Sequence, residues 1–244
     1  MDNAMMIGLA RQQTLRRAME ISANNIANAS TTGFKAERVL LETENTTRAR
    51  SIDGPNRLNF VDDWGVGRDF SQGALEGTGR PLDMAIEGDG FFTLETDAGE
   101  RFTREGRFTL NGDSEIVASD GARLLDAGGQ PIRVLPDGGE VEIHANGEIT
   151  QGGVALGVVG VTRFENIGEL EKVGDNRYAA PEDSERELML DAVVRQGFIE
   201  SSNVRPIMEI TRMMEVSRTY SSVTRMINQT DELSRKAVER LGRP

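Results

Sequence analysis

The sequence predicts an α+β protein: paired long N- and C-terminal helices and, between them, a central, mainly antiparallel β domain. Residues 1–32 hold one glycine and no proline, and residues 207–241 hold neither. Eighteen of the twenty-seven glycines lie instead between Gly73 and Gly160. Eight of the ten methionines fall in the two outer zones. Glycine punctuates strands and turns, whereas methionine is tolerated in helices and at adaptable contacts. The chain therefore divides into a discontinuous helical domain (1–34 plus 203–244), an extended connector with a possible hairpin (35–74) and a β-rich domain (75–202).

In the N-terminal helix Met5, Leu15, Met19 and Ile26 share a face with Gly8, Gln12 and Ser22, and Ile7, Ala18 and Ile21 widen the stripe. The helix is expected to stop in the polar run Asn28-Ala-Ser-Thr-Thr-Gly33. Residues 35–72 carry charges, the lone Trp64 and no clean period. In the middle, Met84-Ala-Ile-Glu, Phe91-Phe-Thr-Leu-Glu, Arg101-Phe-Thr-Arg and Arg107-Phe-Thr-Leu read as strands. Asn111-Gly112, Asp120-Gly121 and Asn146-Gly147 read as hairpin turns. The C-terminal segment opens at Pro206, where a helix loses nothing by the missing N–H. Met213, Val216, Tyr220, Val223, Ile227, Thr230, Ser234, Ala237 and Leu241 then follow at spacings of three and four, one continuous seam. As a helix this segment runs roughly 50 Å at 1.5 Å per residue. Its lower half, with Thr230, Ser234 and Ala237, is too small and polar for a deep core. The two helices either pair with each other and with copies of themselves, or form an antiparallel pair packed on the β domain.

The net charge of −12 argues against nucleic acid or an anionic membrane as the main partner. With no cysteine and one histidine, His144, disulfides and thiolate chemistry are excluded, and transition-metal binding would rest on carboxylates alone. Asn111-x-Asp113-x-Glu115 imitates the start of a calcium loop but has Ile116 and Ala122 where glycine and glutamate belong. Gly65-Val-Gly67 and Gly77-Thr-Gly79 lack the strand-turn-helix setting that cradles phosphate. No Gly-x-Ser-x-Gly elbow occurs, and Asp62-Asp63 reads as loop charge. We expect no enzyme, no cofactor, no metal and no small-molecule substrate. The N-terminus lacks the charge-then-apolar order of a secretory leader, so export without a cleaved signal peptide is the expectation.

One run names a family. Ser22-Ala-Asn-Asn-Ile-Ala-Asn-Ala-Ser-Thr-Thr-Gly-Phe-Lys35 resembles the N-terminal signature of the flagellar rod and hook proteins. Gly77 through Phe92, Arg101 through Asn111, and Ser202-Asn-Val204 with Glu209-Ile210, Arg218-Thr-Tyr220 and Met226-Ile227 look like its further motifs, in the same order. Within the family the chain looks most like a proximal-rod member, a distal-rod or hook-type axial subunit being the alternative. A secreted β-domain carbohydrate-binding module or hydrolase is the reading from a different class.

The resemblance implies an inner tube of paired terminal helices, an outer β domain and export by the flagellar type III apparatus. It also implies assembly into the periplasm-spanning rod with other rod subunits and copies of itself. The residues it marks are Asn24, Asn25, Asn28, Thr32, Gly33, Phe34, Gly88, Gly90 and Phe91. Read physically, the asparagines satisfy backbone groups where the helix frays, and Gly33 permits the positive φ of a helix exit. The sequence departs from the family at Asn111-Gly-Asp-Ser-Glu115, where a glycine is expected at the position of Ser114. Terminal helices poorly ordered in the free monomer are expected of such a subunit.

Overall fold

The computed structural model describes residues 2–44 and 60–241, and the chain divides into two units. The first comprises residues 1–27, 37–69 and 205–244. It holds helix α1 (Asp2–Ala27), strands β1 (Glu37–Glu44) and β2 (Phe60–Arg68), and helix α2 (Pro206–Leu241). The helices run antiparallel. Gly8 lies against Ile227, Gln12 Nε2 donates to Thr224 Oγ1 at 2.7 Å, and Asn25 lies against Glu209. The helix pair thus belongs to one chain, and α1 also packs on β1 and β2.

Strands β1 and β2 pair antiparallel, from Glu37 opposite Arg68 to Glu44 opposite Phe60, with a bulge between Leu40 and Leu41. The bulge and the glycines Gly65 and Gly67 hide the alternation that would mark these strands. A bulge moves every later side chain to the other face. Gly67 lies close against Leu40, whose Cδ2 would be 2.9 Å from a Cβ there. Trp64 lies on β2, its side chain outside the described residues.

The second unit comprises residues 28–36 and 70–204. Its main sheet is ordered Glu171–Gly174, Arg177–Ala179, Gly99–Thr103, Phe91–Thr96, Arg123–Leu124, Ile116–Ala118, Phe108–Leu110. Val161–Phe164 joins Phe91–Thr96 and carries Arg186–Leu188. A three-stranded sheet (Val141–Ile143, Glu148–Gln151, Val154–Val158) and two strand pairs complete the unit, with every pairing antiparallel.

One core gathers Met84, Ile86, Phe92, Leu94, Phe108, Ile116, Leu124 and Val161 among others. A second is aromatic, with Phe91, Phe102, Phe164, Leu170 and Tyr178 buried, Phe70 packed on them and the ring pairs edge-to-face. At about 1.5–3 kcal/mol for each fully buried large side chain, these clusters hold the unit together.

Gly121 and Gly147 take positive φ at their turns, as the hairpin dipeptides require. The Asn111 turn works differently. Asn111 Oδ1 accepts from the backbone N–H of Asp113 and of Glu115, both at 2.9 Å, and Ser114, not Gly112, takes the left-handed conformation at φ 59°. The glycine that the family leads one to expect there thus has a conformational reason.

Charge is unevenly divided. The β unit carries 26 acidic against 12 basic side chains, a net of −14, whereas the helical unit carries 14 against 16, a net of +2.

Candidate assembly interface

Along α2 the seam read from the sequence is the row that is half-buried: Met213, Val216, Tyr220, Val223, Ile227 and Thr230. Thr224, beside it, bonds Gln12. None of these six is fully buried, so α1 alone does not close the seam. Ser234, Ala237 and Leu241 continue the helix, but their side chains lie outside the described residues. On α1, Leu15 is buried, and Met5, Met19 and Ile26 are half-buried. At Gly8 the two helices approach closely: a Cβ there would lie 2.8 Å from Ile227 Cγ1.

Other apolar side chains on both helices stay largely exposed among the described residues. Ile207, Met208, Ile210 and Met214 in the first turns of α2 are 79%, 63%, 45% and 49% exposed. Met226 and Leu233 farther along α2, and Met6 and Leu9 on α1, are exposed as well. At about 100° per residue, Ile207, Ile210 and Met214 form a second ridge, centred roughly 135° around the helix from the seam. Sequence reading of the seam missed this ridge because it looked for one stripe.

The signature residues have separate tasks. Asn25 is fully buried. Its Oδ1 accepts from the Glu37 N–H at 2.9 Å and its Nδ2 donates to the Glu37 carbonyl at 2.8 Å, so it completes the backbone pairing of β1's first residue. Its Nδ2 also lies 3.4 Å from Glu209 Oε2 on α2. Asn24 is exposed. Asn28 accepts from the Thr31 N–H at 3.1 Å and from the Thr31 hydroxyl at 3.1 Å, closing the turn after α1.

In the β unit, the Thr32 carbonyl accepts from Asn176 Nδ2 at 2.7 Å. Gly33, at φ 68°, donates to the Glu200 carbonyl at 2.7 Å, and a Cβ there would lie 2.4 Å from the Arg104 backbone. Phe34 packs with Ala36 and Val204, and Lys172 Nζ stands 4.6 Å from its ring centroid. Gly88 offers its carbonyl to Arg104 at 2.7 Å, and Gly90 leaves room for Val161. Phe91 sits in the aromatic core.

A cleft of about 370 Å³ is lined by Asn28, Phe34, Glu105, Asp120, Lys172 and Arg177 among others. Burial pushes the Glu105 carboxyl up, against the pull of Arg177 and Arg107, but acids and bases alternate around it. Glu115, inside the pseudo-calcium run, is held instead by Asn111 and Arg133. His144 meets Thr150 at 3.1 Å on the surface. Among the described residues, no three acidic or histidine side chains are grouped to hold a metal, and no helix is long and apolar enough to cross a membrane.

Comparison with known proteins decides the family. Residues 5–35 match the model described as flagella basal body rod protein. Residues 85–151 match the flagellar hook protein FlgE/F/G D1 domain, and residues 195–240 match the flagellar basal body rod FlgEFG protein C-terminal region. The chain is 45% identical over 243 residues to the flagellar basal-body rod protein FlgF of Caulobacter vibrioides, covering 100% of this chain and 99% of that one. The chain belongs to the flagellar basal-body rod protein family. This rod protein is also 32% identical to the FlgF protein of Mesorhizobium japonicum, over 99% of both chains. To the FlgG protein of Bacillus subtilis it is 28% identical, over 95% of this chain and 96% of that one. The rod protein is accordingly a structural, non-enzymatic, FlgF-like subunit of the proximal rod, and it assembles with other rod subunits.

Proposed function

We propose that the chain polymerises through its two terminal helices to form part of the torque-transmitting drive shaft. The observation that carries this is a pair of apolar surfaces left exposed or half-exposed among the described residues: the seam from Met213 to Ile227, and the ridge of Ile207, Ile210 and Met214. A lone helix pair in water gains little by exposing isoleucine and methionine in rows, whereas a neighbour's helices would bury them. The partners in this reading are copies of the same chain and the proximal and distal rod subunits on either side. Export by the flagellar type III apparatus goes with it.

The test is motility and basal-body composition in the parent bacterium lacking the gene. Rescue is attempted with the full chain or with a chain truncated after Pro206. Only the full chain is expected to restore swimming. Rescue by the truncated chain, or motility that survives the deletion, would refute the proposal.

A further inference from the structure

Methionine side chains are open on the helices and closed in the β unit. Met6 on α1 and Met208, Met214 and Met226 on α2 are 52%, 63%, 49% and 54% exposed. Met5, Met19 and Met213 are half-buried. In the β unit Met84 is fully buried, and Met189 packs against the same core, where a Cβ on Gly90 would lie 3.2 Å from its sulfur. On α2 the exposed methionines occupy two apolar rows. Met214 belongs to the ridge with Ile207 and Ile210. Met208 and Met226 share a further row, since the interval between them makes about five turns. Leu233, about two turns farther on and also exposed, continues that row.

An exposed thioether differs from an exposed leucine in that it can be oxidised. Its sulfur attacks one oxygen of a peroxide, and the O–O bond breaks. The sulfur gives up two electrons, the departing hydroxide takes the proton of the newly bound oxygen, and a sulfoxide and water remain. A flexible apolar side chain has then become a polar, chiral one. Both rows would carry that polar group where a neighbour's apolar side chains have to cover it. Burying it without a donor is unfavourable, whereas the thioether adapts to partners of different shape.

We propose that Met6, Met208, Met214 and Met226 form an oxidation site through which a peroxide turns joining off. In the free chain all four side chains are open to the oxidant, and a neighbour's helices shield them once they cover the rows. Peroxide therefore acts on subunits awaiting assembly and spares those already joined. This inference rests on the reading that the terminal helices join subunits.

The first test treats the purified full-length protein with limiting hydrogen peroxide and maps the sulfoxides by peptide mass spectrometry. The four exposed methionines are expected to oxidise about 10-fold faster or more than Met84, because a buried sulfur reacts only when the core opens. Oxidation of Met84 as fast as the four would overturn the site.

The second test follows association by sedimentation in added salt. The protein is compared untreated, oxidised at the four positions, and oxidised and then repaired with methionine sulfoxide reductase and a dithiol. Oxidation is expected to weaken association about 10-fold or more for each sulfoxide that the neighbour covers, and repair to restore it. A variant combining Met6→Leu, Met208→Leu, Met214→Leu and Met226→Leu keeps the rows apolar and should associate equally before and after peroxide. The repair arm on the wild-type chain decides the same question without any substitution. Association that survives oxidation of the four, a loss that repair does not reverse, or an equal loss in the treated variant would each overturn the switch. If the untreated protein fails to associate at any salt concentration, the joining reading falls, while the order of oxidation still decides the site.

Discussion

Asn25 offers a sharp test of why the signature demands an amide. It is fully buried and bonds both backbone groups of Glu37, at 2.8 and 2.9 Å. Asn25→Ala removes this partner from the part-buried N–H and carbonyl of Glu37; each falls at the lower end of the about 1–3 kcal/mol that a buried group costs, for a total loss of about 2–4 kcal/mol. Asn25→Asp keeps the acceptor for the Glu37 N–H but turns the donor into a charge facing the Glu37 carbonyl and Glu209 Oε2. The Glu209 oxygen lies 3.4 Å from the present Nδ2. At an effective dielectric constant of about 20, two like charges at that distance repel by ~5 kcal/mol.

Asn25→Asp should therefore be the worse variant at neutral pH, by about 2 kcal/mol. Burial and the neighbouring carboxylate raise the introduced acid's pKa in the folded state. Its neutral form is the one the fold accepts, so stability is present below the unfolded value of about 4 and is lost as pH rises through the folded value. Near pH 4 the protonated acid donates to the Glu37 carbonyl and the variant should approach wild type. Urea unfolding followed by helical circular dichroism reports on α1 and α2, and a 2 kcal/mol loss shifts the midpoint by about 1 M. Asn25→Asp as stable as Asn25→Ala at pH 7, or either within about 0.5 kcal/mol of wild type, refutes the account.

Gly8→Ala gains about 1 kcal/mol of helix propensity but drives a methyl into Ile227, a strain of about 1–3 kcal/mol. Combined with Ile227→Ala, the clash disappears, and a double-mutant cycle should show coupling of about 1 kcal/mol or more. Ser114→Gly should raise stability by about 0.5–1 kcal/mol in thermal unfolding, because it relieves a left-handed serine. The Glu115 carboxyl is lowered, first by Asn111 and then by Arg133, so its contribution is present above pH 4.5 and lost as pH falls through its folded value. The melting-temperature gap between wild type and Glu115→Gln should close between neutral pH and pH 3. Added salt should promote association in sedimentation, as screening shortens from ~10 Å at about 0.1 M to ~3 Å at about 1 M. The β unit's net −14 is what salt would relieve, and association that weakens steadily with salt would mean that attractive charge pairs dominate.

What the sequence disclosed depended on how local each signal was. The rhythm from Met213 to Thr230 was legible because a helix repeats its face every three or four residues, whatever lies opposite. Gly121 and Gly147 were legible as turns for a similarly local reason. The pairing of β1 with β2 was not, since the bulge at Leu40 breaks the only period a strand has. The buried ion cluster of the β unit, in which Glu200 accepts from Lys35 and Arg104, was least legible of all. Lys35, Arg104 and Glu200 are far apart in the chain, and each alone reads as surface charge. The only hint was that Lys35 closes the signature run. Asn25 was half-read: its residue type announced a backbone partner, but nothing local named Glu37.

The helical unit is built from the first and last parts of the chain, and that has a consequence in time. At synthesis rates of about 5–20 residues per second, the first helix leaves the ribosome roughly ten seconds or more before the residues of the last. Throughout that interval Gly8 and Gln12 have no Ile227 or Thr224 to meet. A single helix of this length is marginal by itself. The helix pair through which subunits would join is thus incomplete while the polypeptide is being made, whereas every strand of the β unit has its partner once residue 200 is made. Joining through the paired helices therefore waits for the last residues to be made.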